Sequence, residues 1–258
     1  MTVSPKTVIL ASYGNDSVAL IAEMWSRSMT DATILFNDTG WSTPDWMERV
    51  ERLELWAQGL GFKTARTKSL GMEALVKERK GWPRQGMQFC TMWLKIMPTA
   101  EWLDAHDPDC KALCVVGVRR EESRARANFP EFNPFSEAHG GRHVWAPLVD
   151  VTTETRDIIL RHCAGVEPLP HRSGECMPCV NENREGLRKL NNYPDRVDEI
   201  DRIERELGYT SEGKPRVMFR SAKKMGAVGI QEILKWANAE RGQYEPPSEG
   251  CGTGWCGL

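Results

Sequence analysis

The sequence predicts an α/β fold, a doubly wound and mostly parallel sheet with a helical C-terminal appendage. Three observations lead there. Short β-branched apolar runs alternate with longer segments of helical period, a polar cluster follows most of the runs, and beyond residue 170 the periodic segments are helical. The 258 residues, 40% hydrophobic and 27% charged, are enough for one substantial core, expected as an α/β domain over residues 1–170 and a cysteine-containing helical region with a tail over residues 171–258.

Residues 7–11 form the first apolar run, and a glycine turn leads into a helix whose Ile21, Met24 and Trp25 share one face. Residues 33–37 form the second, closed by Asp38-Thr39-Gly40, and Pro44 opens a helix that runs to about residue 59. Residues 62–67 and 113–117 supply two more strands, with helices over 72–79 and 91–105 between them. Strands separated by helices imply βαβ units, whose crevice lies at the carboxyl ends of the strands. Residues 12–17, 38–40 and 117–126 all converge on that edge. Residues 128–141, rich in Pro, Gly and Asn without a period, read as a long surface loop. Helices are expected over 153–163, 182–191, 194–207 and 221–241, and the glycine-rich tail from 246 has no regular element.

The formal net charge of −2 gives no chain-wide attraction to a nucleic-acid backbone, so such binding would need a local patch. No apolar run approaches a membrane span, and the N-terminus leads only into the short segment 8–11; the expectation is a soluble cytoplasmic protein with no membrane partner. Eight cysteines in such a chain point to reduced thiols serving a metal or redox chemistry rather than to a disulfide framework.

Ser12, Tyr13, Gly14, Asn15, Asp16 and Ser17 join a strand to a helix, where backbone N–H groups and the helix N-terminus make an anion site. The plain alternative is an ordinary βα turn capped by Asp16 or Ser17. Likewise Asp38 has a second reading as a cap, Lys95 as a solvated helix residue, and the stretch from Arg119 to Arg126 as a salt-bridged surface face. Taken together at one sheet edge, these residues fit a strongly anionic ligand, because guanidinium forks match phosphate and sulfate oxygens.

The loop resembles the S-G-G-x-D-S element, with S-F-G-x-D-S variants, of the PP-loop adenine-nucleotide α-hydrolases and the phosphoadenosine phosphosulfate reductase family; Tyr13 takes the aromatic place and Asn15 that of a common Lys. The resemblance continues in order. Asp38, Thr39 and Gly40 match a D-T-G segment, Cys90, Thr91, Leu94, Lys95 and Pro98 match C-[CT]-x-x-[RL]-K-x-x-P, and Gly117, Arg119, Glu122, Ser123 and Arg126 match G-x-R-x-x-E-S-x-x-R. It spans residues 7 to about 126, with weaker similarity onward to Cys176 and Cys179. It implies an adenine-nucleotide site in which Arg119, Arg120 and Arg126 neutralise phosphate and sulfate.

Cys176 and Cys179 form a C-x-x-C that lets two thiolates reach one metal; a thiol–disulfide pair is the alternative. Cys110, Cys114 and Cys163 read as simple buried cysteines. Similarity to adenylylsulfate reductases implies a 4Fe-4S cluster on Cys90, Cys176 and Cys179; because Thr91 stands where a further Cys is found, either Cys251 or Cys256 is the fourth ligand or, as resemblance to cluster-dependent tRNA thiolation enzymes implies, one iron is left open to bind sulfide or substrate, and zinc is the competing metal. Trp255-Cys256-Gly257-Leu258 looks like a shortened E-C-G-L-H motif and implies Cys256 as the sulfur nucleophile.

Three functions follow as expectations. The first is thiol-dependent reduction of an adenylylated sulfate, with or without a 3′-phosphate, to sulfite, with a thioredoxin-like reductant as partner. The second is ATP-dependent sulfur transfer to a nucleic acid or small molecule, and the third a non-catalytic nucleotide- and metal-binding protein. Oligomerisation with copies of itself is left open.

Overall fold

The computed structural model describes residues 6–170, 173–220 and 226–244. The chain divides into two compact units, Met1–Met72 with Thr91–Met177, and Glu73–Cys90 with Pro178–Leu258.

In the first unit β1 (Thr7–Leu10) leads to α1 (Asn15–Ser26), β2 (Thr33–Asp38), α2 (Pro44–Gly59) and β3 (Lys63–Lys68). After α3 (Met72–Arg79), which belongs almost wholly to the second unit, and the short α4 (Phe89–Thr91), the chain continues through a π-helical turn, Met92–Ile96, into α5 (Met97–His106) and β4 (Leu113–Val116). β5 (Phe132–Ser136), β6 (Arg142–Trp145) and α6 (Thr153–Ile159) follow, and α6 ends in a second π turn, Leu160–Ala164. Such turns carry poorer hydrogen-bond geometry than an α-helix and recur at functional sites. The strands form one sheet in the order β3-β2-β1-β4-β6-β5, parallel throughout except for β5. The chain winds out from β1 to β3 and then places β4 on the other side of β1. That reversal is a topological switch point, with its crevice at the carboxyl ends of β1 and β4.

Alternation on β1 explains why both faces are covered. Ile9 joins a cluster with Val18, Ile21, Phe36, Val50 and Leu160, whereas its neighbour Val8 joins Leu35, Leu103, Cys114 and Val144. Each face buries a stripe of apolar side chains under helices, the source of most of the unit's stability.

In the second unit α7 (Arg184–Arg188) and a 3-10 turn, Lys189–Asn192, precede α8 (Pro194–Leu207) and α9 (Ile230–Asn238). Pro194 suits the start of α8, where its missing N–H has no intrahelical partner to lose, and Gly208 at φ 60° ends it. Val197, Ile200 and Ile203 of α8 and Ile230, Ile233 and Ala237 of α9 are buried at helical spacing. Glu73 of α3 pairs with Lys77 and Arg202, and Glu206 with the same two cations, so one exposed charge network ties α3 to α8.

Several expectations need correction. Residues 128–141 are not all loop: β5 pairs antiparallel to β6, with a register shift between Asn133 and Ser136. Its Pro134 is tolerable because an edge strand need not donate on its outer side. The helix expected over 182–191 is α7 with the 3-10 turn; of that expected over 221–241, residues 221–225 lie outside the described residues, residues 226–229 are not helical, with Gly229 at φ 82° and Val228 bridged to Arg220, and the helix is Ile230–Asn238. Trp25 is 44% exposed while Ile21 and Met24 are buried, since it lies about 90° from the stripe through Ser17, Leu20, Ile21 and Met24. Cys114 is buried on β4, where burial pushes its thiol up to about 12, but Cys110 and Cys163 are exposed, the one in a turn after α5, the other in the π turn closing α6. No helix among the described residues is long and apolar enough to cross a membrane.

Candidate functional site

The site is built on the carboxyl ends of β1, β2 and β4. After β1, Ser12 N–H donates to Ser17 Oγ at 3.0 Å and the two hydroxyls lie 3.2 Å apart, which closes the loop on itself. Gly14 occupies the N-cap position of α1 without a side-chain cap, so neither Asp16 nor Ser17 is the capping residue. The first-turn amides of a helix have no intrahelical acceptor, and together with the helix dipole they present an anion-binding end at the switch point.

The Tyr13 side chain lies in the core beneath the loop. It is fully buried at φ 59°, its ring tilted against Phe36 at 5.9 Å, and burial raises its hydroxyl pKa well above the usual value. A non-glycine residue in the left-handed region costs about 1–3 kcal/mol, which the packing of the ring offsets. Its carbonyl accepts from Arg49 Nε at 3.0 Å. Asn15, in the place of a Lys, forms a two-point amide bracket with Leu169: Nδ2 donates to the Leu169 carbonyl at 3.0 Å and Oδ1 accepts from its N–H at 2.9 Å.

Asp16 faces inward along the edge, not outward to solvent. Its carboxylate receives Arg119 Nε at 2.6 Å and Arg156 Nη1 at 3.4 Å. Arg119 is 3% exposed and also donates to Glu121, the Val151 carbonyl and Thr153. It therefore welds the end of β4 to the start of α1 and α6. Gly117 makes that junction possible, since a Cβ there would lie 3.2 Å from the Asp16 carbonyl oxygen. Arg156 was not visible from sequence spacing; only its helix was.

The other predicted cations are also engaged. Arg120 binds Asp150 and the Phe129 carbonyl, and Arg126 binds Glu122, whose carboxylate in turn accepts from Arg119 N–H at 3.0 Å. Ser123, extended at φ −168°, separates the two short turns that carry these arginines. Lys95, on the first π turn, pairs with the buried Glu175 at 2.8 Å.

Asp38 Oδ1 accepts from Gly40 N–H at 2.9 Å, and Gly40, at φ 62°, lies so close to Gly71 that a Cβ would come within 3.0 Å of the Gly71 Cα. This tight turn receives residues 173–177. Thr43 N–H donates to the Gly174 carbonyl, Thr39 Oγ1 to the Glu175 carbonyl at 2.9 Å, and Met177 N–H to the Trp41 carbonyl at 2.9 Å. Cys176 is thereby brought to the strand edge, its Sγ 3.8 Å from Thr39 Oγ1.

Of the expected metal ligands, Cys176 belongs to the first unit and Cys90 and Cys179 to the second, and all three are half-buried. Cys251 and the expected nucleophile Cys256 lie outside the described residues. Among the described residues no three His, Cys, Asp or Glu side chains are grouped to hold a metal ion.

Residues 6–184 match the model of the phosphoadenosine phosphosulfate reductase domain. A protein of Escherichia phage 186, described as an uncharacterized 37.8 kDa protein in the gpa 5′ region, is 26% identical over 192 residues, which cover 63% of this chain and 55% of that protein. The chain thus spans about half the length of that relative. Among solved structures, the phosphoadenylyl-sulfate reductase of Candida auris in its phosphate complex is similar at a TM-score of 0.45 and 15% identity, covering 62% of this chain and 73% of that one. The NMN synthetase of Francisella tularensis is similar at a TM-score of 0.47 and 14% identity, covering 91% and 84%. With the family model matching more than half of the chain and the motif-bearing loops gathered at one sheet edge, the chain belongs to the phosphoadenosine phosphosulfate reductase domain family.

Proposed function

We propose that the chain binds an adenylylated sulfate at the carboxyl edge of β1, β2 and β4 and reduces it to sulfite with the help of a thiol donor. The observation that carries this reading is the loop of residues 12–17, closed by Ser12 and Ser17 and fixed at the switch point by the Asp16–Arg119 pair, in a chain of this family. Since Arg119, Arg120 and Arg126 are spent on carboxylates, the ligand's phosphate is held mainly by the amides at the start of α1. Asp38, Thr39, Gly40, Lys95, Gly117, Glu122 and Ser123 shape that edge.

In the reaction, the Cys256 thiolate attacks the sulfate sulfur, the bond from sulfur to the bridging oxygen breaks, and the nucleotide leaves with that electron pair. The resulting S-sulfocysteine is attacked at its cysteine sulfur by a thioredoxin-like dithiol, which releases sulfite and ends oxidised as a disulfide. The test is sulfite release from adenylyl sulfate, with and without the 3′-phosphate, in the presence of a reduced dithiol protein. Sulfite should form with the wild-type chain and be lost in Cys256→Ser; nucleotide binding without sulfite in the wild type would leave a non-catalytic binding protein.

A second reading has its own support. The Cys176 thiol beside Thr39 puts a sulfur at the nucleotide edge, as ATP-dependent sulfur transfer to a nucleic acid or small molecule would require. It predicts ATP cleavage to AMP that depends on an acceptor and is lost in Cys176→Ser. A metal on Cys90, Cys176, Cys179 and Cys251, as a 4Fe-4S cluster or zinc, is a separate proposal. The described thiols do not by themselves make a metal set, and no step above is routed through one. Iron, sulfide and zinc analysis of anaerobically purified protein decides it.

A further inference from the structure

The second unit carries a cavity that none of this chemistry uses. It is an open cleft with a volume of about 430 Å³, lined by Asn183, Arg184, Glu185, Arg188 and Arg241. Three cations and one carboxylate give its walls a positive excess in a chain whose formal net charge is −2. Two of the guanidinium groups are held in place from behind. Arg184 donates to the carbonyls of Trp236, Ala237 and Ala239 and lies over the Trp236 ring at 4.9 Å, while Arg188 Nε donates to the Ala237 carbonyl at 2.6 Å. These bonds satisfy the last carbonyls of α9 and fix the orientation of both planes. They use one edge of Arg188 only. Among the described residues none of the three arginines has a carboxylate partner, in contrast to Arg119, Arg120, Arg126, Arg142 and Arg156 of the first unit.

We propose that this cavity is a second nucleotide-phosphate site. The free guanidinium edges of Arg188 and Arg241 take the phosphate oxygens in the forked geometry that suits them, and the Glu185 carboxylate accepts from a sugar hydroxyl. Asn183 Oδ1 is committed to Gly186 N–H at 2.8 Å, which leaves its amide N–H₂ as a further donor. The volume lies in the range of small-ligand sites and suits a mononucleotide. Glu185 disfavours a bare polyphosphate and selects for a phosphate that carries a hydroxylated sugar. That sugar phosphate comes either from a free nucleotide or from one residue of a nucleic-acid strand.

Titration calorimetry on the full chain tests this with two probes, AMP and a single-stranded hexanucleotide, in low salt. AMP should bind at one site that Arg241→Gln and Arg188→Lys each weaken about ten- to a hundredfold, whatever else binds at the loop of residues 12–17. Hexanucleotide binding with the same sensitivity, and no such AMP site, would also support the proposal and would identify the strand as the source. Binding of both probes that is unchanged in number and affinity by Arg241→Gln overturns it, as does the absence of any binding that responds to these substitutions. Arg241 is exposed and makes no hydrogen bond to the rest of the described chain, so its variant stays folded even where Arg188→Lys loosens α9. A thermal melt of each variant keeps the two effects apart.

Discussion

The strand edge of the first unit and the cavity of the second are both lined with arginine, but the arginines do different work. At the edge, Arg119, Arg120, Arg126 and Arg156 all end on carboxylates of the same unit, so their charge is consumed in holding loops together. In the cavity, Arg184 and Arg188 end on backbone carbonyls, which are neutral, and their charge is preserved. A positive residue in a binding motif is thus evidence for an anion only after its counter-ion has been sought. The same contrast holds for two acids. The partly buried Asp16 sits against two guanidinium groups, whereas the buried Glu204 of α8 accepts, among the described residues, only peptide N–H bonds, from Met218 at 2.8 Å and Ile230 at 2.9 Å.

The largest expected effect comes from breaking the buried pair. Arg119→Ala leaves Asp16 without its nearer cation and should lower the stability of the first unit by about 3–5 kcal/mol, read as an earlier denaturation midpoint. A drop below about 1 kcal/mol would mean that the edge is not organised by this pair.

Glu204 gives the next effect, and its sign follows from burial. Burial pushes its carboxyl up to about 7 from an ordinary 4.5, so protonation favours the folded state. Its contribution is fully present below about pH 4.5 and is lost as pH rises through about 7. Unfolding of the second unit should therefore become easier across that window, by up to roughly 3 kcal/mol, and the slope should flatten in Glu204→Gln. A pH-independent midpoint for the wild-type second unit would count against a charge balanced only by peptide groups.

Gly117→Ala tests the close approach of β4 to α1. With a Cβ 3.2 Å from the Asp16 carbonyl, it should cost about 1–3 kcal/mol and weaken nucleotide binding at the loop. Tyr13→Phe should do the opposite. The Tyr13 hydroxyl is buried with no hydrogen-bond partner among the described residues, so its removal should raise stability by about 1 kcal/mol and leave nucleotide affinity unchanged. Loss of affinity in Tyr13→Phe would restore that side chain to the ligand's contacts.

Most of the sheet was legible in the sequence because buried parallel strands leave runs such as Val8-Ile9-Leu10 and Leu113-Cys114-Val115-Val116 that need no partner to be recognised. β5 and β6 were not: Phe132-Asn133-Pro134-Phe135-Ser136 has neither alternation nor β-branched residues, Arg142-His143-Val144-Trp145 is short with one β-branched residue, and their pairing makes both strands. Within the site, the position of each loop followed from the strand order, but the direction of each side chain did not. Arg126 has its counter-ion four residues back, at a spacing visible in the sequence; Arg119 finds Asp16 from a different strand, and no local pattern signals it.

The Asn15 bracket carries a consequence for the order in which the protein is made. Asn15 and Leu169 are 154 positions apart, yet both hydrogen bonds of the Asn15 side chain, at the start of α1, depend on Leu169. During synthesis β1 and α1 emerge early, while their loop stays without its final restraint until the chain beyond α6 has been made. The loop of residues 12–17 therefore reaches its final shape late, and a chain stopped before Leu169 would carry the whole motif without that shape.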